Sequence, residues 1–149
     1  MTKIIKQRDK VSCVACVAAM ATNTRLIDFH RSHYFKDPPY TEIDFTRYLL
    51  TKGFIVGVGF QNILGKVLHP EASVGFEFKL KTLPALVVVN SMRFPGCEHV
   101  VYWDGEEVFD PNPEIKENGY PLTRYEIISW FPISRIEDVF HYAKRSKDG

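Results

Sequence analysis

The sequence predicts an α+β chain in which helices lead and strands follow. Three observations predict it. Apolar residues recur at helical spacing, with helix-boundary residues around them, between Cys13 and Gly53. Beyond Gly53 the pattern turns to β-like runs, of which Leu83 to Asn90 is a continuous apolar strand. An Asp104-Gly105 pair then separates two further β-runs, the signature of a hairpin. Helices first and strands later point to α+β architecture. The 149 residues carry no internal repeat and no low-complexity linker, so residues 1–149 read as one domain long enough to bury a core.

Gln7 to Met20 organises the rest. A polar lead-in ends at Ser12, and a run of small or apolar residues starts at Cys13. Val14, Val17, Ala18 and Ala21 fall at helical spacing, and the positions between them (Ala15, Cys16, Ala19, Met20) are also small or apolar. A helix apolar all round belongs inside a domain. Ser12 is placed to cap it by accepting from a free backbone N–H. A thiol at its first turn feels the positive end of the helix dipole, which favours thiolate. Two readings of Cys13 follow: an activated nucleophile, or a buried structural cysteine.

Arg25 to Tyr34 forms a second short helix with Leu26, Ile27 and Phe29 inward. Its His30 and His33, three apart, are either one face of a metal site or two surface histidines. Pro38-Pro39 breaks the chain. Thr41 and Asp44 form a capping box for a helix over Ile43, Phe45, Tyr48 and Leu49, closed by Gly53. Phe54 to Phe60 is a strand whose two glycines allow close backbone approach. Residues 61–72 are irregular and 73–80 alternate weakly. Ser91 to Cys97 is a Pro-Gly loop. Thr123 and Glu126 suggest a short helix to Trp130, with strand as the alternative. Ser134 to Lys144 is amphipathic and reads as a helix, with a strand start over Ile133 to Val139 as the alternative.

Composition excludes several classes. Net charge is +1, so nothing marks nucleic acid as a partner, and the terminal AKRSK reads as a solvated tail. No apolar run approaches the ~18–20 residues of a membrane span. The polar Met1–Lys10 lacks the apolar core of a signal peptide. Three cysteines, an odd number, suggest free thiols and a reducing, cytoplasmic setting.

The hairpin brings chemistry together. With a two-residue type I′ turn, Trp103 pairs with Glu106, Val101 with Val108, and His99 with Asp110. Opposed residues share a face, their Cβ atoms about 4.5–5.5 Å apart. A carboxylate beside an imidazole sets its tautomer and raises its basicity. A charged pair at a sheet end, worth little, is the plain alternative. With Cys13 the pair supplies the three parts of a cysteine hydrolase: nucleophile, base and orienter. The backbone N–H of Cys13 and the side-chain amide of Gln7 would then serve a developing oxyanion. Asn112 is a second candidate orienter should the register differ.

Gln7, Cys13 six residues on, then Ala15, Cys16 and Met20 in an apolar helix resemble the N-terminal motif of the bacteriocin-processing leader peptidases, the double-glycine peptidases of the papain-like superfamily. His99-Val100-Val101 and Val108-Phe109-Asp110-Pro111 resemble that family's second block. The resemblance implies a papain-like fold, with the nucleophile helix packed on an antiparallel sheet. It implies Cys13 as nucleophile, His99 as base, Asp110 as orienter and Gln7 as oxyanion donor. A peptide or protein would be the substrate, and no cofactor is called for. Val14 stands where the family has glycine, and no transporter segment accompanies the chain, so leader-peptide processing is not implied. Amidase and acyltransferase chemistry fit the same residues.

Two other classes stay open. Cys13, Cys16, Cys97 and His99 could form a Cys3His zinc set, or Cys13-x-x-Cys16 a redox pair. The same fold could also act as an inactive binding module. In that weighing Cys16 reads as core packing, and Trp103, on the His99 face, either packs or lines a groove.

Overall fold

The structure is a computed structural model; it describes residues 2–57, 60–61 and 81–139. Three helices come first: α1 (Cys13–Thr22), α2 (Leu26–Ser32) and α3 (Glu42–Thr51). The strands follow as β1 (Phe54–Val56), β2 (Phe60–Gln61), β3 (Ala85–Asn90), β4 (Glu98–Trp103), β5 (Val108–Phe109) and β6 (Ile127–Arg135), with a 3-10 turn at Leu122–Arg124 before β6. They pair antiparallel in the order β1-β6-β3-β4-β5, with β2 also on β6. The expected mixture of leading helices and antiparallel sheet is therefore what the chain forms.

Helix α1 is the centre of the core. Seven consecutive residues, Val14 to Met20, are buried, and the helix lies against α2, α3 and β4. Small side chains let it sit close, and each larger one it buries, such as Val17 or Met20, contributes roughly 1.5–3 kcal/mol. The helix stops where Asn23 takes a left-handed conformation (φ 54°) and its N–H returns to the carbonyl of Met20. Alternation along β4 splits the sheet into two faces. Val100 and Tyr102 join Leu86, Val88, Phe109 and Ile133 under the helices. Val101 joins Ala85, Val87, Val89, Val108, Tyr125 and Trp130 on the other side.

Several sequence expectations hold, and four are corrected. The Thr41–Asp44 capping box forms, with Thr41 N–H donating to Asp44 Oδ2 (2.8 Å) and Asp44 N–H to Thr41 Oγ1 (3.3 Å). Ser12 precedes α1 as expected, but its hydroxyl does not cap the helix: it donates to Asp9 Oδ2 (2.8 Å). Thr123 and Glu126 do not open a helix; after the 3-10 turn the chain takes the strand alternative as β6. That strand runs through Ser134 to Arg135, so the last helix begins only at residue 136, and 140–149 lie outside the described residues. The readings for 62–80 lie outside them as well.

The fourth correction concerns the hairpin. Trp103 pairs with Val108 and Tyr102 with Phe109, so the loop holds four residues rather than two. Asp104 closes it: its Oδ1 accepts the N–H groups of Glu106 (2.8 Å) and Glu107 (2.7 Å), and its own N–H donates to the Glu107 carbonyl (3.1 Å). Gly105 has φ 103°, as the turn requires, and comes so close to the Thr82 carbonyl that a Cβ would lie 3.0 Å from it. The two-residue shift in register keeps every side chain on its expected face, because the period is two.

Pro132 sits inside β6 where a proline costs a ladder hydrogen bond. It falls between Ile133, which faces β1, and Trp130, which faces β2. Gly57 bridges that gap, donating its N–H to the Pro132 carbonyl at 2.7 Å. A Cβ on Gly57 would lie 2.8 Å from Pro132 Cγ. The proline ring is held by the strand and cannot swing away. Gly57→Ala is therefore expected to cost about 1–3 kcal/mol and to lower the thermal midpoint in a melt followed by circular dichroism. An unchanged midpoint would contradict this packing.

Candidate active site

Four chain ends converge at one end of the sheet. Helix α1 begins there at Cys13, β4 begins there beside the end of β3, and β5 ends there at Phe109. Val89 opposes His99 and Asn90 opposes Glu98. Val88 opposes Ser129 but Val89 opposes Ile127, which leaves Ile128 as an extra residue on β6. This bulge bends the sheet at its site end.

His99 Nε2 donates to Asp110 Oδ1 at 2.7 Å. The His99 side chain is 17% exposed and that of Asp110 3%, so this is a desolvated pair and not a solvent-screened surface one. A buried carboxylate needs partners for both oxygens. Oδ1 also accepts the N–H of Asn112 (2.9 Å), and Oδ2 accepts the hydroxyl of Tyr125 (2.9 Å). Asp110 donates its own N–H to the Asn118 carbonyl (2.6 Å). With Nε2 on Asp110, Nδ1 is the ring nitrogen left over, and the half-buried Cys13 is a neighbour whose thiol acts on the His99 charge. Burial alone would lower the His99 pKa. The hydrogen bonds to Asp110 and Cys13 outweigh it and raise it from 6.5 to about 9.

The lead-in to α1 is built into the same corner. Gln7 is buried, and its N–H donates to the Pro111 carbonyl at 2.8 Å. Lys6 Nζ donates to the carbonyls of Asp110 and Glu117, each at 2.8 Å. Gln7 Nε2 donates to the Asp9 carbonyl at 2.6 Å, leaving its second N–H and a buried, unpartnered Oε1. The Asp9 carboxylate accepts from Val11 N–H (2.9 Å) and the Ser12 hydroxyl, shaping the turn into the helix. Burial pushes the Asp9 carboxyl up, but these bonds prevail and hold it below its ordinary 3.8.

Gln7, Cys13, His99 and Asp110 all line one cavity of about 290 Å³. Met92, Phe94 and Ile115 supply apolar wall, and Lys10 and Arg93 each lie over the Phe94 ring, at 5.7 and 5.1 Å. Asn112 reaches Asp110 through its backbone and is not the partner of His99. Trp103 packs on Trp130 (ring centroids 6.1 Å apart), away from the cavity.

The metal readings find no support among the described residues, where no group of three or more His, Cys, Asp or Glu side chains could hold an ion. Cys16 is fully buried in α1, and burial pushes its thiol up to about 12; Cys97 is exposed. His33 is buried, stacked on Phe29 with ring centroids 4.2 Å apart. His30 Nδ1 is 2.8 Å from the Tyr40 hydroxyl.

Two contributors were not seen in the sequence. Asp9 lay in what read as a polar lead-in, although an Asp three residues before Ser12 is a turn pattern. Tyr125 left no signal, since it lies in a turn-rich stretch read as helix start.

Comparison with known proteins adds the fold. No protein-family model and no curated protein matches the chain. A crystal structure of a double glycine motif protease from an AMS/PCAT transporter, in complex with the leader peptide, superposes with a TM-score of 0.59 over 91% of this chain and 92% of that one, at 17% identity. The chain therefore shares the fold of a peptidase domain. Among the described residues no helix is long and apolar enough to cross a membrane.

His99 is expected to titrate near pH 9 in the folded chain, read from its ring resonances by NMR. Asp110→Asn should bring the midpoint back toward the ordinary 6.5. Because the folded value is raised, the stabilisation from this pair is complete below about 6.5 and is lost as the pH rises through about 9. A midpoint that ignores Asp110→Asn would contradict the hydrogen bond as its cause.

Proposed function

We propose that the chain is a papain-like cysteine hydrolase of the peptidase class, acting through a thioester acyl-enzyme. The observation that carries the reading is His99, hydrogen-bonded through Nε2 to the buried Asp110 in the cavity that Cys13 also lines at the start of a helix.

Cys13 Sγ, as thiolate, attacks the carbonyl carbon of a peptide. The C–S bond forms as the carbonyl π electrons move to oxygen. The Cys13 N–H, a first-turn donor outside the helix ladder, receives that oxyanion together with the second N–H of Gln7. His99 gives its Nδ1 proton to the leaving nitrogen, the C–N bond breaks, and a thioester remains. His99 then takes a proton from water, which adds to the thioester, and the Cys13 thiolate departs. Asp110 keeps Nε2 protonated throughout and balances the imidazolium. A free amine in place of water would make the same steps an acyl transfer.

The leader peptide held by the structurally similar protease supports a peptide or protein as substrate here. Val14, in the place of the glycine of the resembling motif, is buried in the core under the helices and does not line the cavity. The 290 Å³ cavity with its Met92, Phe94 and Ile115 wall accepts a side chain next to the scissile carbonyl.

A panel of peptidyl vinyl sulfones, read by intact mass and peptide mapping, tests the reading. One adduct at Cys13 is expected, absent in Cys13→Ala and formed roughly 10²–10⁴-fold more slowly in His99→Ala. Adducts on the exposed Cys97 alone, or none, would overturn it.

A further inference from the structure

Tyr125 belongs to no part of the chemistry above, yet its hydroxyl donates to Asp110 Oδ2 at 2.9 Å inside the second core cluster. The hydroxyl is itself held. The N–H of Tyr120 donates to it at 3.2 Å, which turns its own hydrogen toward Asp110. Gly119, just before, lies so close that a Cβ would stand 3.3 Å from the Tyr125 hydroxyl and 3.0 Å from both Val108 Cγ1 and the Val108 carbonyl. Asn118, one residue earlier, accepts the Asp110 N–H. Residues 118–120 thus close over the carboxylate as a latch, and Arg124 stacks on Tyr120 with 3.8 Å to the ring centroid.

We propose that Tyr125 is a positioning residue for the site: its hydroxyl fixes the rotation of the Asp110 carboxylate, so that Oδ1 stays aimed at His99 and the ring stays aimed at Cys13. The inference rests on the hydrolase reading above. A carboxylate on a single side-chain bond turns about its last torsion, which is broad. One oxygen on His99 and Asn112 leaves the other needing a partner, and a buried acceptor without one does not keep its place. Tyr125 supplies that second point, and it comes from the segment leading into β6, so the carboxylate is clamped between two parts of the sheet. The other groups that face Asp110 are His99 and Lys6, whose Nζ bonds the Asp110 carbonyl and not its carboxylate.

The test is Tyr125→Phe in the full chain. It deletes the hydroxyl and keeps the ring packed on its neighbours. Two readouts are taken: the His99 NMR midpoint and the rate of vinyl sulfone addition at Cys13. A midpoint lowered by about one pH unit, with addition slowed about tenfold in a folded chain, is the expected result. An unmoved midpoint and rate, even with a lower melting temperature, would make Tyr125 a packing residue only and overturn the proposal. Should Tyr125→Phe not fold, Gly119→Ala carries the test with the same readouts and outcomes, since it displaces the hydroxyl without removing it. The midpoint needs no turnover, so it judges Tyr125 separately. Wild-type Cys13 that adds no probe would sink the hydrolase reading and leave the midpoint comparison to decide the clamp.

Discussion

The hydrogen bond between His99 and Asp110 is the interaction on which the rest depends. A buried carboxylate is costly unless every oxygen is used, and removing one member of a buried pair strands the other. The chain meets that demand with groups from four segments. β4 brings His99, the residues after β5 bring Asp110 and the Asn112 N–H, the approach to β6 brings Tyr125, and Lys6 and Gln7 tie the N-terminal lead-in to the same loop. The polar network thereby joins the N-terminal lead-in to the segment before β6, around the cavity that Cys13 lines.

Helix α1 supplies the other constraint. It could not present a thiol at a fixed point if it moved, and the seven buried residues behind Cys13 hold it against β4 and α3. The helix starts where Asp9 folds the lead-in back on itself and not where Ser12 caps it. The same turn uses one N–H of Gln7, so the placing of Cys13 and of the Gln7 amide are one structural event.

Much of this was legible in the sequence, for identifiable reasons. α1 and α3 announce themselves by periodicity and by caps, which are local signals. The shared face of His99 and Asp110 was readable even though the turn was not: Asp104-Gly105 suggested two residues, the Asp104 side chain organises four, and the even shift preserved the face. β6 was legible only as the alternative to a helix, because Thr123 and Glu126 imitate a capping box. Pro132 is accommodated by Gly57, whose N–H meets its carbonyl, and that contact is a tertiary feature no local pattern announces. Tyr125 was illegible for a deeper reason. Its partner lies 15 residues away across a turn-rich segment, and no spacing rule links a tyrosine to a carboxylate over such a path.

The central claim is that His99 and Cys13 act as one unit. The most direct measurement is the rate of iodoacetamide labelling at Cys13 as a function of pH, in the wild-type chain and in His99→Ala, with Cys97 as the internal exposed thiol. The account predicts that Cys13 labels well ahead of Cys97 and loses that advantage in His99→Ala. Labelling of Cys13 no faster than Cys97, or indifferent to the substitution, would contradict it.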